Sequence, residues 1–168
     1  ELKLGPNIAD WPKMYPLREN LLVKLAAVID DPVTTTDELI PSGETSSYRS
    51  NPVKLSEFAL SRRVPEYVGR SKAARDLADA VRNGEIPDEL AAVMEKLGLL
   101  ADTLKETTVG SGVFANRPGD GSAREQAASC QKVLGGVANI AYSYATKRYR
   151  SNCINWGILP FTVDQLET

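Results

Sequence analysis

Apolar and polar positions alternate in distinct regimes along this chain, and each regime predicts an element. Residues 20–29, NLLVKLAAVI, are a near-continuous run of apolar and β-branched residues and predict a buried strand. Asp30-Asp31-Pro32 follows as a turn signal, then TTTDELIPSG as a loop with a short helical turn, where Thr34 and Asp37 have capping-box spacing. SGETSSYRSNP at 42–52 is polar and turn-rich and predicts a surface loop, and 54–63 is mixed and compatible with a helix. From 71, Ala73, Ala74, Leu77, Ala78 and Val81 recur at three- and four-residue steps up to Gly84, which predicts a helix. Pro87 opens a second predicted helix, about 87–105, with Leu90, Val93, Met94, Leu97 and Leu100 on one face. Residues 107–115, TTVGSGVFA, predict a strand with glycine interruptions. A glycine turn, a helix of roughly three turns and a stop at Gly135-Gly136 come next. VANIAY reads as a short strand, 144–155 as a basic helix, and WGILPF as a turn and strand. Strand–turn–helix–strand order predicts an α/β layer arrangement.

Before residue 20, Pro6, Pro12 and Pro16 forbid a long helix. Residues 1–19 are therefore expected to be a linker arm, pinned to the body by Trp11 and Tyr15, with 20–168 as the folded domain. At 168 residues the chain is long enough for one domain with a sizeable core. Apolar residues at 42% and charged residues at 25% are ordinary for a globular domain. The longest apolar stretch, Leu21 to Ile29, is broken by Lys24 and is far short of a membrane span, and no secretory leader is visible. Twenty basic against 22 acidic residues leave a net charge of -2, so neither nucleic acid nor an anionic membrane is expected as a partner. The chain opens with Glu1 rather than Met, which points to a piece of a longer protein.

Histidine is absent, which excludes Ser-His and Cys-His catalysis within this chain. Two cysteines, Cys130 and Cys153, make neither a disulfide framework nor a cluster site on their own, and a cytoplasmic location is expected. Both are expected to be small core residues. Lys147, Arg148 and Arg150 form a basic helix face, Trp156 and the tyrosines at 142, 144 and 149 read as packing residues, and Arg62 and Arg63 as solvated.

The chemistry concentrates in Gly119-Asp120-Gly121-Ser122-Ala123-Arg124. Two glycines allow positive φ and close approach of the backbone to a bound group. Ser122 falls where a helix N-cap is expected, at a helix start whose free N–H groups and partial positive charge suit an anion. Arg124 adds a fork of donors matched to a carboxylate or phosphate. The plain alternative is that Ser122 only caps the helix and Arg124 only pairs with a surface acid. The stretch lacks both the P-loop and the dinucleotide glycine spacings, so neither nucleotide class is favoured.

Extended to GDGSAREQAA at 119–128, the motif resembles the Gly-x-Gly-Ser-Ser-Arg-Glu-His-Ala signature of the aconitase family, in its C-terminal swivel domain. LGG at 134–136 and GILPF at 157–161 are similar to later family segments, and Thr35-Thr36-Asp37 to an earlier one. Arg49, twelve residues beyond Asp37, falls where the family has a substrate-binding arginine. The resemblance runs in pieces from about 20 to 161 and is most similar to aconitase-like bacterial hydratases. It implies a layered β/β/α swivelling domain with a helical insertion around 60–105, C-terminally incomplete. It also implies a hydro-lyase acting on a small hydroxy-carboxylic acid, inactive alone. In that reading Ser122 is the proton-abstracting base, Arg49 and Arg124 bind substrate carboxylates, Ala123 stands at the substrate-binding position of the family's second serine, and Asp37 orients cationic or imidazole groups of the partner domain. The cofactor would be a [4Fe-4S] cluster whose ligands lie on other domains or on a large subunit, with no metal held by this chain. Ala123 removes one hydroxyl contact, which argues against citrate or isocitrate, and Gln126 replaces the signature's histidine. Two other readings stand beside this one: a stand-alone small subunit like that of isopropylmalate isomerase, and a non-catalytic anion-binding or interaction module.

Overall fold

The computed structural model describes residues 1–165. Its centre is a four-stranded, all-parallel sheet in the order β1 (Asn20–Ile29), β3 (Thr107–Ala115), β5 (Gly136–Ala141), β6 (Leu159–Thr162). A parallel ribbon of β2 (Thr34–Thr35) and β4 (Pro118–Asp120) extends from the carboxyl ends of β1 and β3. The helices are α1 (Thr36–Leu39), α2 (Pro52–Ser56), α3 (Tyr67–Arg82), α4 (Asp88–Lys96), α5 (Arg124–Val133) and α6 (Lys147–Asn155).

Each strand of the main sheet steps in one direction from its predecessor. Right-handed connections therefore carry α3, α5 and α6 to the same face. Inward positions on that face confirm it: Ser71 on α3 bonds Ser111 on β3 at 2.6 Å, and Asn139 on β5 donates to the Tyr149 hydroxyl on α6 at 3.2 Å. The core between sheet and helices includes Ile29, Tyr67, Val113, Ala128, Leu134 and Tyr149. A smaller cluster of Val81, Leu90, Met94, Leu104 and Val109 packs α3 and α4 against the start of β3. The helices of 60–105 thus form the β1-to-β3 crossover and cover the sheet. On the opposite face, Val28, Phe114, Ile140 and Phe161 lie in register across all four strands. Val28 is 56% and Phe161 46% exposed, so this apolar row has no second layer over it among the described residues.

The mixed α/β layering expected from the sequence is present, and β1 and β3 have the expected bounds. The second predicted helix is shorter than 87–105. It stops at Lys96, Gly98 turns the chain with φ 70°, and 101–106 is a 3-10 segment. Leu97 and Leu100, which continued the apolar pattern, are exposed. The arm is fixed by Trp11 against Trp156, ring centroids 4.8 Å apart, by Arg82 over the Tyr15 ring at 3.8 Å, and by Arg18 donating its backbone N–H to Thr108 at 2.7 Å. No helix is long and apolar enough to cross a membrane.

Both cysteines are buried in the core. Desolvation pushes the Cys130 thiol up to about 12 and Cys153 up to about 11, from an ordinary 9.0. An acid whose folded pKa is raised contributes stability below its unfolded pKa and loses it as pH climbs toward the folded value. Stability is therefore expected to decline above pH of about 9, through the window up to these raised values. At pH 8 a disulfide reagent should leave both thiols unmodified in the native protein and modify both in denaturant. Rapid native modification would contradict the packing.

Candidate functional site

In open parallel sheets, ligand-binding loops gather beyond the carboxyl ends of the strands. Here β1 runs into β2 and α1, and β3 runs into β4 and α5, so pairing of β2 with β4 sets the two loops side by side. Thr34 opposes Pro118 and Thr35 opposes Asp120. The segment holding Asp37 and the segment holding Ser122 are thereby neighbours. Contact is close: a Cβ on Gly121 would stand 2.4 Å from the Thr36 hydroxyl oxygen, and Gly121 has φ 120°. Only glycine fits that turn.

The capping details differ from the sequence expectations. Thr35, not Thr34, caps α1, in a capping box with Glu38 rather than Asp37. Glu38 N–H donates to the Thr35 hydroxyl at 3.2 Å, and Thr35 N–H to Glu38 Oε2 at 2.7 Å. Ser122 is not the N-cap of α5. That place belongs to Ala123, which has no capping side chain. The positive-φ turn at Gly121 delays the helix by one residue. Ser122 is exposed and stands just ahead of the helix, and the first-turn amides of α5 receive no side-chain cap. The plain reading of Ser122 as a cap is therefore removed.

Ala123 is half-buried and packs against the core. Arg124 makes no ion pair among the described residues, and its Nε is buried without a hydrogen-bond partner. The surface acid expected in the plain reading is not there. Glu125, the acid in the first turn, faces α6. It accepts from Trp156 Nε1 at 2.6 Å and from the Asn152 amide, so its charge is tied down away from Ser122.

Arg49 is exposed on the loop after a 3-10 turn at Ser46–Tyr48, without an ion pair among the described residues. Three residues later α2 begins, capped by Asn51, and α2 packs on α5. The 42–50 loop is thereby carried on an element that touches the Ser122 helix. Asp37 is exposed and pairs with Arg62 of this same chain at 3.3 Å, and Arg62 also holds Glu44. Arg63 pairs with Asp31 and lies 3.8 Å from Glu38. Arg62 and Arg63 are exposed, as expected, and they also make ion pairs: Arg62 links the Asp37 helix to the 42–50 loop, and Arg63 links that helix to the turn at Asp31. Their partners lie too far along the chain for spacing to reveal them, Asp37 being 25 residues and Glu44 18 residues away. Lys147, Arg148 and Arg150 are exposed, as a solvated helix face should be.

Both cysteines are deep in the core, and the described residues contain no group of three or more His, Cys, Asp or Glu able to hold a metal. An iron–sulfur cluster does not fit on these residues.

What is present is an α/β domain with an exposed hydroxyl, uncapped amides and an unpaired guanidinium at the carboxyl edge of a parallel sheet. Residues 112–166 match the family model described as the aconitase C-terminal domain, about a third of the chain. Over that stretch, which carries Ser122, Leu134-Gly135-Gly136 and Gly157–Phe161, the resemblance to the aconitase-family swivel domain is borne out. Asp37 and Arg49 lie outside the matched residues. Among solved structures, the chain is similar to a 3-isopropylmalate dehydratase from Methanocaldococcus jannaschii, with 21% identity, a TM-score of 0.44 and 88% of this chain covered. The chain spans 61% of the length of that protein. No curated protein matches the sequence.

Proposed function

We propose that this chain is the swivel domain of an aconitase-like hydro-lyase, and that it supplies the proton-abstracting half of a reversible dehydration of a hydroxy-carboxylic acid. Ser122 removes the proton on the carbon next to a substrate carboxylate. A free serine hydroxyl is far too weak an acid to serve at neutral pH. The uncapped amides of α5 and the unpaired Arg124 guanidinium supply the positive potential that holds an oxyanion there. Arg124 and Arg49 clamp substrate carboxylates, and Ala123 leaves the second-serine contact unmade. Asp37, held by Arg62, keeps α1 and the 42–50 loop in register with the serine turn.

The single observation that carries this reading is that Ser122 has no structural work. It is exposed, it does not cap α5, and the helix start beside it is open to an anion. The other half of the chemistry, departure of the hydroxyl, belongs to a cluster-bearing partner, either further domains of the same polypeptide or a large subunit. The chain alone is then inactive.

The reading is tested on the full protein or complex with its iron restored, by following the ultraviolet absorbance of the enoate formed from a panel of hydroxy acids. Arg124→Lys in that enzyme keeps the charge but loses the two-pronged geometry. It should raise KM at least about tenfold, about 1.4 kcal/mol, with a smaller change in kcat. An unchanged KM would remove Arg124 from carboxylate binding, and a panel with no turnover would favour the anion-binding module without chemistry.

A further inference from the structure

A hollow lies at the end of the sheet opposite the Ser122 turn. The arm, over Pro12 to Arg18, roofs a cavity of about 570 Å³ above the last turns of α3 and α5 and the first residues of β3 and β5. That volume is in the range of small-ligand sites. Five basic residues line it, Lys13, Arg18, Arg75, Arg82 and Lys132, against two acids, Asp76 and Asp79, a balance of five minus two, or +3.

Two of these cations have a structural occupation. Arg18 donates to the Lys105 carbonyl at 3.0 Å, and Arg75 to the Val133 carbonyl at 3.1 Å, where it satisfies the end of α5. Arg82 and Lys132 are different. Arg82 stacks on Tyr15 and reaches Asp79 with one terminal nitrogen at 3.3 Å, yet its Nε is buried without a partner. Lys132 has only the Gly157 carbonyl, at the outer limit of 3.5 Å. Burial, and then the charge of Arg82, hold its ammonium below the ordinary lysine value. Two like charges thus share a half-dry space, and each keeps a donor unused. Desolvated cations in that position are stabilised by an anion placed between them.

We propose that the cavity under the arm is a binding site for a small oxyanion, a phosphate or carboxylate head group, held by Arg82 Nε and Lys132 Nζ beneath Tyr15. The site stands on different residues from the Ser122 turn and does not depend on that turn's role. An occupied site would tie the arm to the body through the Tyr15–Arg82 stack.

The test is a titration of the full chain at constant ionic strength with inorganic phosphate and, separately, with malonate, reading the Arg82 Nε–Hε resonance. The expected result is a saturable displacement by at least one of them with Kd of about 1 mM or tighter, the tighter ligand identifying the head group. Lys132→Gln should weaken binding at least about tenfold, Lys132→Arg should retain it, and Arg124→Gln should leave it unchanged. A non-saturating drift with both anions would overturn the site. So would binding that survives Lys132→Gln and disappears in Arg124→Gln, which would put the anion at the Ser122 end instead.

Discussion

Replacing Ser122 by alanine in the full-length enzyme is expected to lower turnover by about a thousand-fold or more, on the order of 4 kcal/mol, with little change in stability. The two halves of that expectation have separate origins. Stability is spared because the hydroxyl is exposed and caps nothing, and Ala123 already fills the cap position. Turnover collapses because no other hydroxyl in the turn can take the proton. Ala123 has no polar side chain, and the chain has no histidine. A serine that served only the fold would give the reverse pattern, a lower melting temperature with kcat near normal. Measuring both on the same preparation separates the two cases.

The second large effect is on folding. Gly119→Ala is expected to cost about 3–5 kcal/mol, summing a positive-φ penalty with an overpacking penalty. Gly119 has φ 99°, and a Cβ there would lie 2.3 Å from the ring of Tyr149. That ring cannot step aside. It is 1% exposed in the core, and its hydroxyl accepts from Asn139. The same turn is held from the other side, where the Thr146 hydroxyl donates to the Gly119 carbonyl at 3.0 Å while Thr146 also caps α6. Gly43 is the control, with no positive φ and nothing within 4 Å of its added Cβ, so alanine there should be near neutral. Chemical denaturation of the two variants checks the difference. A loss under about 1 kcal/mol at Gly119 would mean that Tyr149 is not fixed as described.

Much of the frame was legible because pattern and packing agree. β1 and β3 are apolar runs of strand length, and their bounds follow from the sequence. β3 lies inside the parallel sheet and is buried as its pattern suggests, but β1 is the edge strand, so the expectation that 20–29 is buried fails at Leu25 and Val28, which are exposed. What sequence reasoning missed was set by contacts between distant residues. Thr34, Thr35 and Thr36 are equivalent as candidate caps, and only the pairing of β2 with β4 selects Thr35. Ser122 looked like a cap because the conformation of Gly121 is invisible in a string of letters. It is the fit against Thr36 that moves the helix start to Arg124. Leu97 and Leu100 carried an apolar period across Gly98, where the backbone turns and packing ends. The ion pairs of Arg62 and Arg63 had no local signal at all. In the candidate site, residue types and order were readable, but the freedom of Ser122 from structural duty was not.

The most direct test of the proton-abstracting role is isotope exchange. Citrate, 3-isopropylmalate and malate are each presented to the full enzyme in deuterium oxide, and the recovered acid is weighed by mass spectrometry. The account predicts that the wild type adds one deuterium to the acid it acts on, at the carbon beside a carboxylate, and that Ser122→Ala adds none. Deuterium uptake by Ser122→Ala at the wild-type rate would contradict it, because the proton would then be leaving by way of another group.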